Sequence, residues 1–257
     1  MNCTFYKYEG TGNDFIMIDN RNGFFPKHSI DLVNKLCDRH FGIGADGLIL
    51  LENDTETDFK MMYFNADGKE GTMCGNGGRC IVAFAKKLEV ISDKTTFNAV
   101  DGLHHATIEK NLVSLQMIDV NKVDIHDSFV FANTGSPHHV QLVENIENYD
   151  VILNGKKLRN EYGDKGSNIN FVQKITENTF KVRTYERGVE DETLACGTGV
   201  TAVAVAMHKT NQTKSNQIKL PVLGGELEVS FSIENEQYKN VFLKGPATFV
   251  FKGIIII

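Results

Sequence analysis

The sequence predicts an α/β chain, in the α+β sense, built as two tandem copies of one unit. Three observations carry this. First, the stretch Thr72-Met73-Cys74-Gly75-Asn76-Gly77-Gly78-Arg79-Cys80 has a second version in Leu194-Ala195-Cys196-Gly197-Thr198-Gly199, and an apolar, helix-like segment follows each (Ile81–Ala85 and Val200–Met207). Second, the landmarks upstream of the two cysteines recur in order and at nearly equal spacing. Phe59-Lys60 answers Phe180-Lys181, Gly44-Ala45-Asp46-Gly47 answers Gly166-Ser167-Asn168-Ile169, and Thr11-Gly12-Asn13-Asp14 answers Thr134-Gly135-Ser136-Pro137. Third, short β-branched and aromatic runs separated by Gly, Asn and Asp turns bracket each of these segments, as strands do.

In the first copy, residues 3–8 and 15–19 read as strands around the turn Glu9–Asp14. Ser29 is positioned to cap a helix over about 30–39, with Ile30, Val33, Leu36 and Cys37 at helical spacing. Cys37 then packs as a small core hydrophobe. Residues 48–51 and 59–64 read as strands, followed by the turn Asn65-Ala66-Asp67-Gly68, the first cysteine loop and a helix to about Lys87. Residues 95–119 alternate as strands with turns at Asp101-Gly102 and Lys110-Asn111, and His104 and His105 within them read as ordinary strand histidines. The second copy starts near residue 128, with a strand at 128–132 and a turn at Gly135–His138. Strands follow at 169–175 and 179–185, then Glu186-Arg187-Gly188 and the second cysteine loop. Further strands are expected at 217–223, 226–232, 240–244 and 247–257. The closing Ile254-Ile255-Ile256-Ile257 suits a buried strand.

A length of 257 residues suffices for two compact domains with cores. A net charge of −6 argues against a nucleic-acid surface or a polybasic membrane face. No apolar run reaches the roughly 20 residues of a membrane helix, and residues 1–8 lack the pattern of a secretory signal. Five scattered cysteines, an odd number, do not form a disulfide framework and fit a reducing cytoplasm.

The chemistry follows from the twin loops. A cysteine where a glycine-rich segment opens a helix sits among unpaired N–H groups at the positive end of the dipole, which stabilises its thiolate and binds anions. Cys74 and Cys80 lack neighbouring His or Cys ligands for zinc. A thioredoxin-type pair with two intervening residues is absent. A cysteine hydrolase could recruit His138 but leaves the second loop without a purpose, and neither loop carries the Lys-Ser or Lys-Thr of a phosphate loop. Cys80 falls inside the helix as a buried thiol. Two cysteines at two helix N-termini fit proton removal from one face of a carbon and proton return to the other, with the helix ends holding a carboxylate as carbanion charge develops. This is the logic of a racemase or epimerase without pyridoxal phosphate.

Gly12-Asn13-Asp14-Phe15, Phe64-Asn65-Ala66-Asp67-Gly68, Met73–Cys80, Glu186-Arg187-Gly188 and Ala195-Cys196-Gly197-Thr198-Gly199 together resemble the diaminopimelate epimerase family nearly end to end. The resemblance implies two pseudo-symmetric domains, each a curved, mostly antiparallel sheet around a central helix, with the active site between them. They would comprise residues 1–120 plus a final strand at about 250–257, and residues 121–249. It implies cofactor-independent interconversion of LL- and meso-2,6-diaminopimelate in the cytoplasm, on the route to lysine and peptidoglycan. Its only implied partner is that small molecule, with no nucleic acid, membrane or metal, in an assembly compatible with a homodimer. By position, Cys74 and Cys196 would be the acid/base pair, with Cys196 the base and Cys74 the acid from LL to meso. Gly75, Asn76, Gly197 and Thr198 would hold the carboxylate at the reacting carbon. Asn13, Asn65, Asn168, Glu186 and Arg187 would bind substrate, and His138 and Glu186 would tune the thiols. The chain departs from the family pattern at Ser136, where Asn is frequent, at Gly47, where some members have Gln, and around Glu190-Asp191, where an extra residue is expected between Arg187 and Cys196. Proline or hydroxyproline racemases are the nearest alternative, but they place His after Cys-Gly where Asn76 stands. A thiol redox or metal-binding module is the alternative from another class.

Overall fold

The computed structural model describes residues 1–71 and 73–257; Thr72, the first residue of the first cysteine stretch, lies outside the described residues. The chain divides into two units, Met1–Leu115 with Gly245–Ile257, and Gln116–Lys244.

The first unit runs β1 (Asn2–Gly10), β2 (Asn13–Asp19), α1 (Ile30–Cys37), β3 (Gly47–Glu52), β4 (Phe59–Asn65), α2 (Gly75–Lys87), β5 (Lys94–Ala99), β6 (Gly102–Glu109) and β7 (Leu112–Gln116). The second runs β8 (Val123–Ile125), β9 (Val130–Asn133), β10 (Pro137–Leu142), α3 (Val151–Glu161), β11 (Asn168–Thr176), β12 (Thr179–Glu186), β13 (Asp191–Thr193), α4 (Gly197–Lys209), β14 (Gln217–Val222), β15 (Gly225–Glu234) and β16 (Gln237–Pro246). The last strand, β17 (Thr248–Ile256), belongs to the first unit.

Each unit has the same pairing plan. In the first, β2 and β3 are parallel, β3 and β4 antiparallel, β4 and β5 parallel, and β5–β6–β7 an antiparallel meander. In the second, β10 and β11 are parallel, β11 and β12 antiparallel, β12 and β14 parallel, and β14–β15–β16 an antiparallel meander. In each unit the connection of the second parallel pair carries a helix that begins at the cysteine, α2 between β4 and β5 and α4 between β12 and β14. Both helices are core elements. Cys80, Ile81, Val82, Phe84 and Ala85 of α2 are fully buried, as are Val200 and the run Ala202–Ala206 of α4. A helix apolar on most of its circumference is stable only when surrounded by other elements, and these two are.

The glycine-rich segments are not loops ahead of the helices. Gly75 and Gly197 are the first helical residues, and Cys74 and Cys196 are the N-caps, both extended. Glycine lowers helix propensity by up to about 1 kcal/mol per residue, but here it admits close neighbours. A Cβ on Gly77 would meet Ile49 Cδ1 at 2.9 Å, and one on Gly199 would meet Asn170 Oδ1 at 2.5 Å.

The structure also differs from the sequence reading at helix α3, for which no element was expected, at His138 and at the closing isoleucines. His138 is not in a turn: β10 starts at Pro137 and carries it on a buried strand. The isoleucine run is not buried. Ile254 and Ile256 are 68% and 80% exposed, whereas Ile255 and Ile257 pack on the core of the first unit. β17 pairs with β1 and has only one face against a core, so the strand period of two sends alternate residues outward. The expected buried thiols are buried: burial pushes Cys37 up to about 12 and raises Cys80 well above the usual thiol range. His104 stacks on Phe97 and bonds Asp101 at 2.9 Å, as a satisfied strand histidine. No helix among the described residues is long and apolar enough to cross a membrane.

Candidate active site

In the first unit the β1–β2 turn passes through Thr11 and Gly12, both at positive φ, and delivers Asn13 to the start of β2. The Asn13 amide nitrogen donates to Asp46 Oδ2. A carboxylate can only accept, so this bond fixes the amide and leaves its oxygen for other donors. That oxygen lies 3.6 Å from Cys74 Sγ and 3.3 Å from Asn76 Nδ2. Cys74 therefore donates its S–H to an acceptor held from behind. Asp46 is in turn fixed by Arg39, which bonds it at 2.7 Å and clamps Asp14 through both carboxylate oxygens at 2.7 and 3.0 Å. Lys7, almost fully buried, is 2.7 Å from Asp14. Burial alone would raise the Asp14 carboxyl, but the bonds and charges of Arg39 and Lys7 hold it down at about 2.

Arg79 is the largest fully buried side chain. It donates to Thr11 Oγ1 at 2.6 Å and to the carbonyls of Gly75 and Pro246 at 3.3 Å each, tying the Asn13 turn to the first turn of α2. Asn65 ends β4 opposite Gly47, its backbone closing the turn to Gly68 and Lys69. Among the described residues no hydrogen bond joins its side chain to Cys74 or Asn13.

In the second unit Thr198 stands two residues after Cys196, its hydroxyl 3.5 Å from Cys196 Sγ and 2.9 Å from His138 Nε2. Its carbonyl accepts from Thr134 at 2.7 Å, which seats the turn before β10 against α4. His138 is fully buried, and burial, helped by the charge of Arg187, lowers it to about 3. It is therefore a neutral imidazole at working pH. Asn168 donates to Ser136 Oγ at 3.0 Å and accepts from the Arg187 backbone at 2.9 Å. The Arg187 guanidinium reaches the Lys165 carbonyl at 2.7 Å and Ser136 Oγ at 3.5 Å. Ser136 thus joins the network at a position where the resemblance left its role open. Glu186 ends β12 directly before Arg187. Glu190 shapes the next turn: at φ 58° it bonds the Glu186 carbonyl through its N–H, and its carboxylate accepts from Arg159 and Gly188.

The repeat read from the sequence reappears as chemistry. Asn13 corresponds to Ser136 and Asp46 to Asn168, and the same pair is hydrogen-bonded in both units. Asp46, Asn170 and Thr184 also belong to these networks, and the sequence reading gave none of them a role in the site. Asn170 carried a signal, since Asn168 and Asn170 fall on one face of a strand whose intervening and following residues, Ile169, Phe171 and Val172, are apolar. Among the described residues no group of three His, Cys, Asp or Glu side chains is arranged to hold a metal ion.

A family model described as diaminopimelate epimerase matches residues 5–123 and 130–250. The chain is 64% identical over 253 residues to a diaminopimelate epimerase of Flavobacterium psychrophilum, covering 97% of this chain and 99% of that one. It is 42% identical to that of Aquifex aeolicus, covering 97% and 96%. Among solved structures it is similar to a phenazine biosynthesis protein of the PhzF family from Bacillus anthracis (TM-score 0.79, 13% identity, all of both chains). A hydroxyproline epimerase from Agrobacterium vitis is also similar (TM-score 0.73, 13% identity, 99% and 92% of the chains). At such identities the structural likeness speaks to the fold of the chain alone, whereas the sequence matches identify the enzyme class. The chain is an isomerase and belongs to the diaminopimelate epimerase family.

Proposed function

We propose that the chain interconverts LL- and meso-2,6-diaminopimelate by a two-thiol mechanism without a cofactor, supplying precursors of lysine and peptidoglycan in the cytoplasm. The observation that carries the reading is the pair of cysteines, each the N-cap of a glycine-led, buried helix in units of one pairing plan. Cys196, as thiolate, takes the α-proton from the LL isomer. The C–H bond breaks, its electron pair passes into the carbanion, and an S–H bond forms. Cys74, as thiol, gives its proton to the opposite face and is left as thiolate, ready for the reverse reaction. The first-turn N–H groups at Gly75, Asn76, Gly197 and Thr198 face a carboxylate and stabilise the negative charge that spreads onto it. Asn13, Asn65, Asn168, Glu186 and Arg187 hold the rest of the amino acid, and His138 and Glu186 set the state of the thiols.

The test offers LL-diaminopimelate and proline separately in deuterated water and scores label at Cα. Label and epimerisation with diaminopimelate alone are expected. Replacing either cysteine by Ala should abolish epimerisation, while the remaining thiolate can still exchange the α-proton of one isomer. Turnover of proline in place of diaminopimelate, or near-parental epimerisation by either variant, would overturn the reading.

A further inference from the structure

We infer that Asn170, on β11, is a positioning residue that fixes His138 as its Nε2–H tautomer and so turns the Thr198 hydroxyl toward Cys196. The inference rests on the two-thiol reading for its functional meaning, but the hydrogen-bond direction stands on the geometry alone.

Asn170 is completely buried, and each end of its amide is held. Its Oδ1 accepts from Thr184 Oγ1 at 3.0 Å across the β11–β12 pair. Its Nδ2 donates to the His139 carbonyl at 2.9 Å and lies 3.2 Å from His138 Nδ1. Rotating the amide by 180° would set its oxygen against the His139 carbonyl, two acceptors at hydrogen-bond distance in a buried site, so the orientation is determined. With an N–H aimed at Nδ1, that ring nitrogen must be the acceptor. A neutral imidazole then carries its proton on Nε2. Nε2–H is 2.9 Å from Thr198 Oγ1 and donates to it. The hydroxyl, already accepting, has its own proton for Cys196 Sγ at 3.5 Å. The chain of donors runs in one direction, from Asn170 through His138 and Thr198 to sulfur.

One contact points the other way. Asn168 Nδ2 lies 3.5 Å from His138 Nε2 and could donate there if that nitrogen were bare. It is at the limit of hydrogen-bond range, and the same N–H₂ group has Ser136 Oγ at 3.0 Å. The closer pair of contacts decides. Burial, and after it the charge of Arg187, opposes protonation of His138 and keeps the ring in the neutral form the relay needs. The packing of α4 agrees: the space a Cβ of Gly199 would fill holds Asn170 Oδ1 and, at 3.3 Å, Cys196 Sγ.

The consequence is a polarity. Cys196 receives a donor, which favours the thiolate, while Cys74 faces the Asn13 carbonyl, an acceptor that favours the thiol.

The tautomer is measured directly on the unmutated protein, without substrate, by NMR of ¹⁵N-labelled histidine, with His138→Gln identifying the signal. A bare Nδ1 and protonated Nε2 through neutral pH are expected; a protonated Nδ1 overturns the inference whatever the enzyme's activity. Asn170→Asp replaces the donor facing Nδ1 by an acceptor and should move the proton to Nδ1; an unchanged tautomer also overturns it. In the uncharged variant Asn170→Ser the lock is lost, and alkylation of Cys196 should slow relative to Cys74 in the same sample. A thiol pKa one unit higher cuts the thiolate tenfold and raises its nucleophilicity about threefold, a net slowing of roughly threefold. An unchanged ratio of the two cysteines refutes the link through Thr198.

Discussion

Gly199→Ala and Gly78→Ala are the same chemical change in corresponding helices, and the structure expects opposite results. At Gly199 the new methyl would lie 2.5 Å from Asn170 Oδ1, 3.2 Å from Cys196 Cβ and 3.3 Å from Cys196 Sγ. The oxygen cannot retreat without breaking its bond from Thr184 or dragging the amide off the His139 carbonyl. Overpacking of a tight site costs about 1–3 kcal/mol, and one lost buried hydrogen bond adds about 1 kcal/mol. The gain in helix propensity offsets at most about 1 kcal/mol. The net expectation is a destabilisation of about 1–3 kcal/mol together with a fall in kcat/KM, because the methyl also presses on the thiol. At Gly78 the methyl would meet Met73 Cε at 2.6 Å and Leu115 Cδ2 at 2.9 Å, both ends of flexible side chains. Here the propensity gain is less opposed, and a change within about 1 kcal/mol of the parent is expected. Urea unfolding of both variants with the parent, plus epimerase kinetics, decides. Gly199→Ala equal to the parent in midpoint and kcat/KM would mean that Asn170 does not lie under α4, and the relay built on it would fall with that.

Arg187→Lys should lower kcat/KM by the equivalent of about 1–3 kcal/mol, because an ammonium cannot hold the Lys165 carbonyl and Ser136 while gripping a carboxylate with parallel bonds; unchanged kinetics would remove Arg187 from the site. Acid should destabilise the fold in two windows. His138 is lowered from 6.5 to about 3, so between those values the unfolded chain binds the extra proton, and stability falls as pH drops, by up to about 1.4 kcal/mol per pH unit. Asp14, lowered from 3.8 to about 2, loses its contribution as pH falls through that lower range. Urea midpoints against pH should show a shallower loss for His138→Gln above pH 4; an identical slope would mean that His138 is not the buried neutral group.

Much of this was legible in the sequence because it depends on local chemistry. Cysteine followed by glycines and an apolar run marks a helix N-terminus in any context, and the strand meanders after α2 and α4 follow from alternation and tight turns. Helix α3 was not legible. Ile152 and Leu153 are exposed, only Val151 and Gly155 are buried, and the helix docks because glycine leaves room for Tyr185, whose Cβ lies 2.4 Å from where a Gly155 side chain would begin. Packing through a missing side chain leaves no apolar stripe to read. Nor could β10 be read through Pro137, since a parallel pairing to β11 is set by the distant strand and not by the turn before it. In the site, the residues that carry a motif could be named, but the ones that aim them could not: Asp46, Asn170 and Thr184 act through hydrogen-bond direction, which only the fold defines.

The pairing of β17 with β1, from Asn2↔Ile256 to Glu9↔Thr248, sets an order of events during synthesis. Residues 116–244 form a unit contiguous in sequence and can close as soon as they emerge. The first unit cannot. At about 5–20 residues per second, the interval between Leu115 and β17 lasts on the order of ten seconds, and through it β1 offers an unpaired edge. Prior folding of the inserted unit shortens the loop that must close, but halving a loop saves only about 0.6 kcal/mol. Availability of the strand, not loop entropy, is therefore what the waiting unit depends on. A released chain truncated before residue 248 should hold a finished second unit and an open first one, exposing to chaperones or to another chain the edge that β17 covers in the full-length protein.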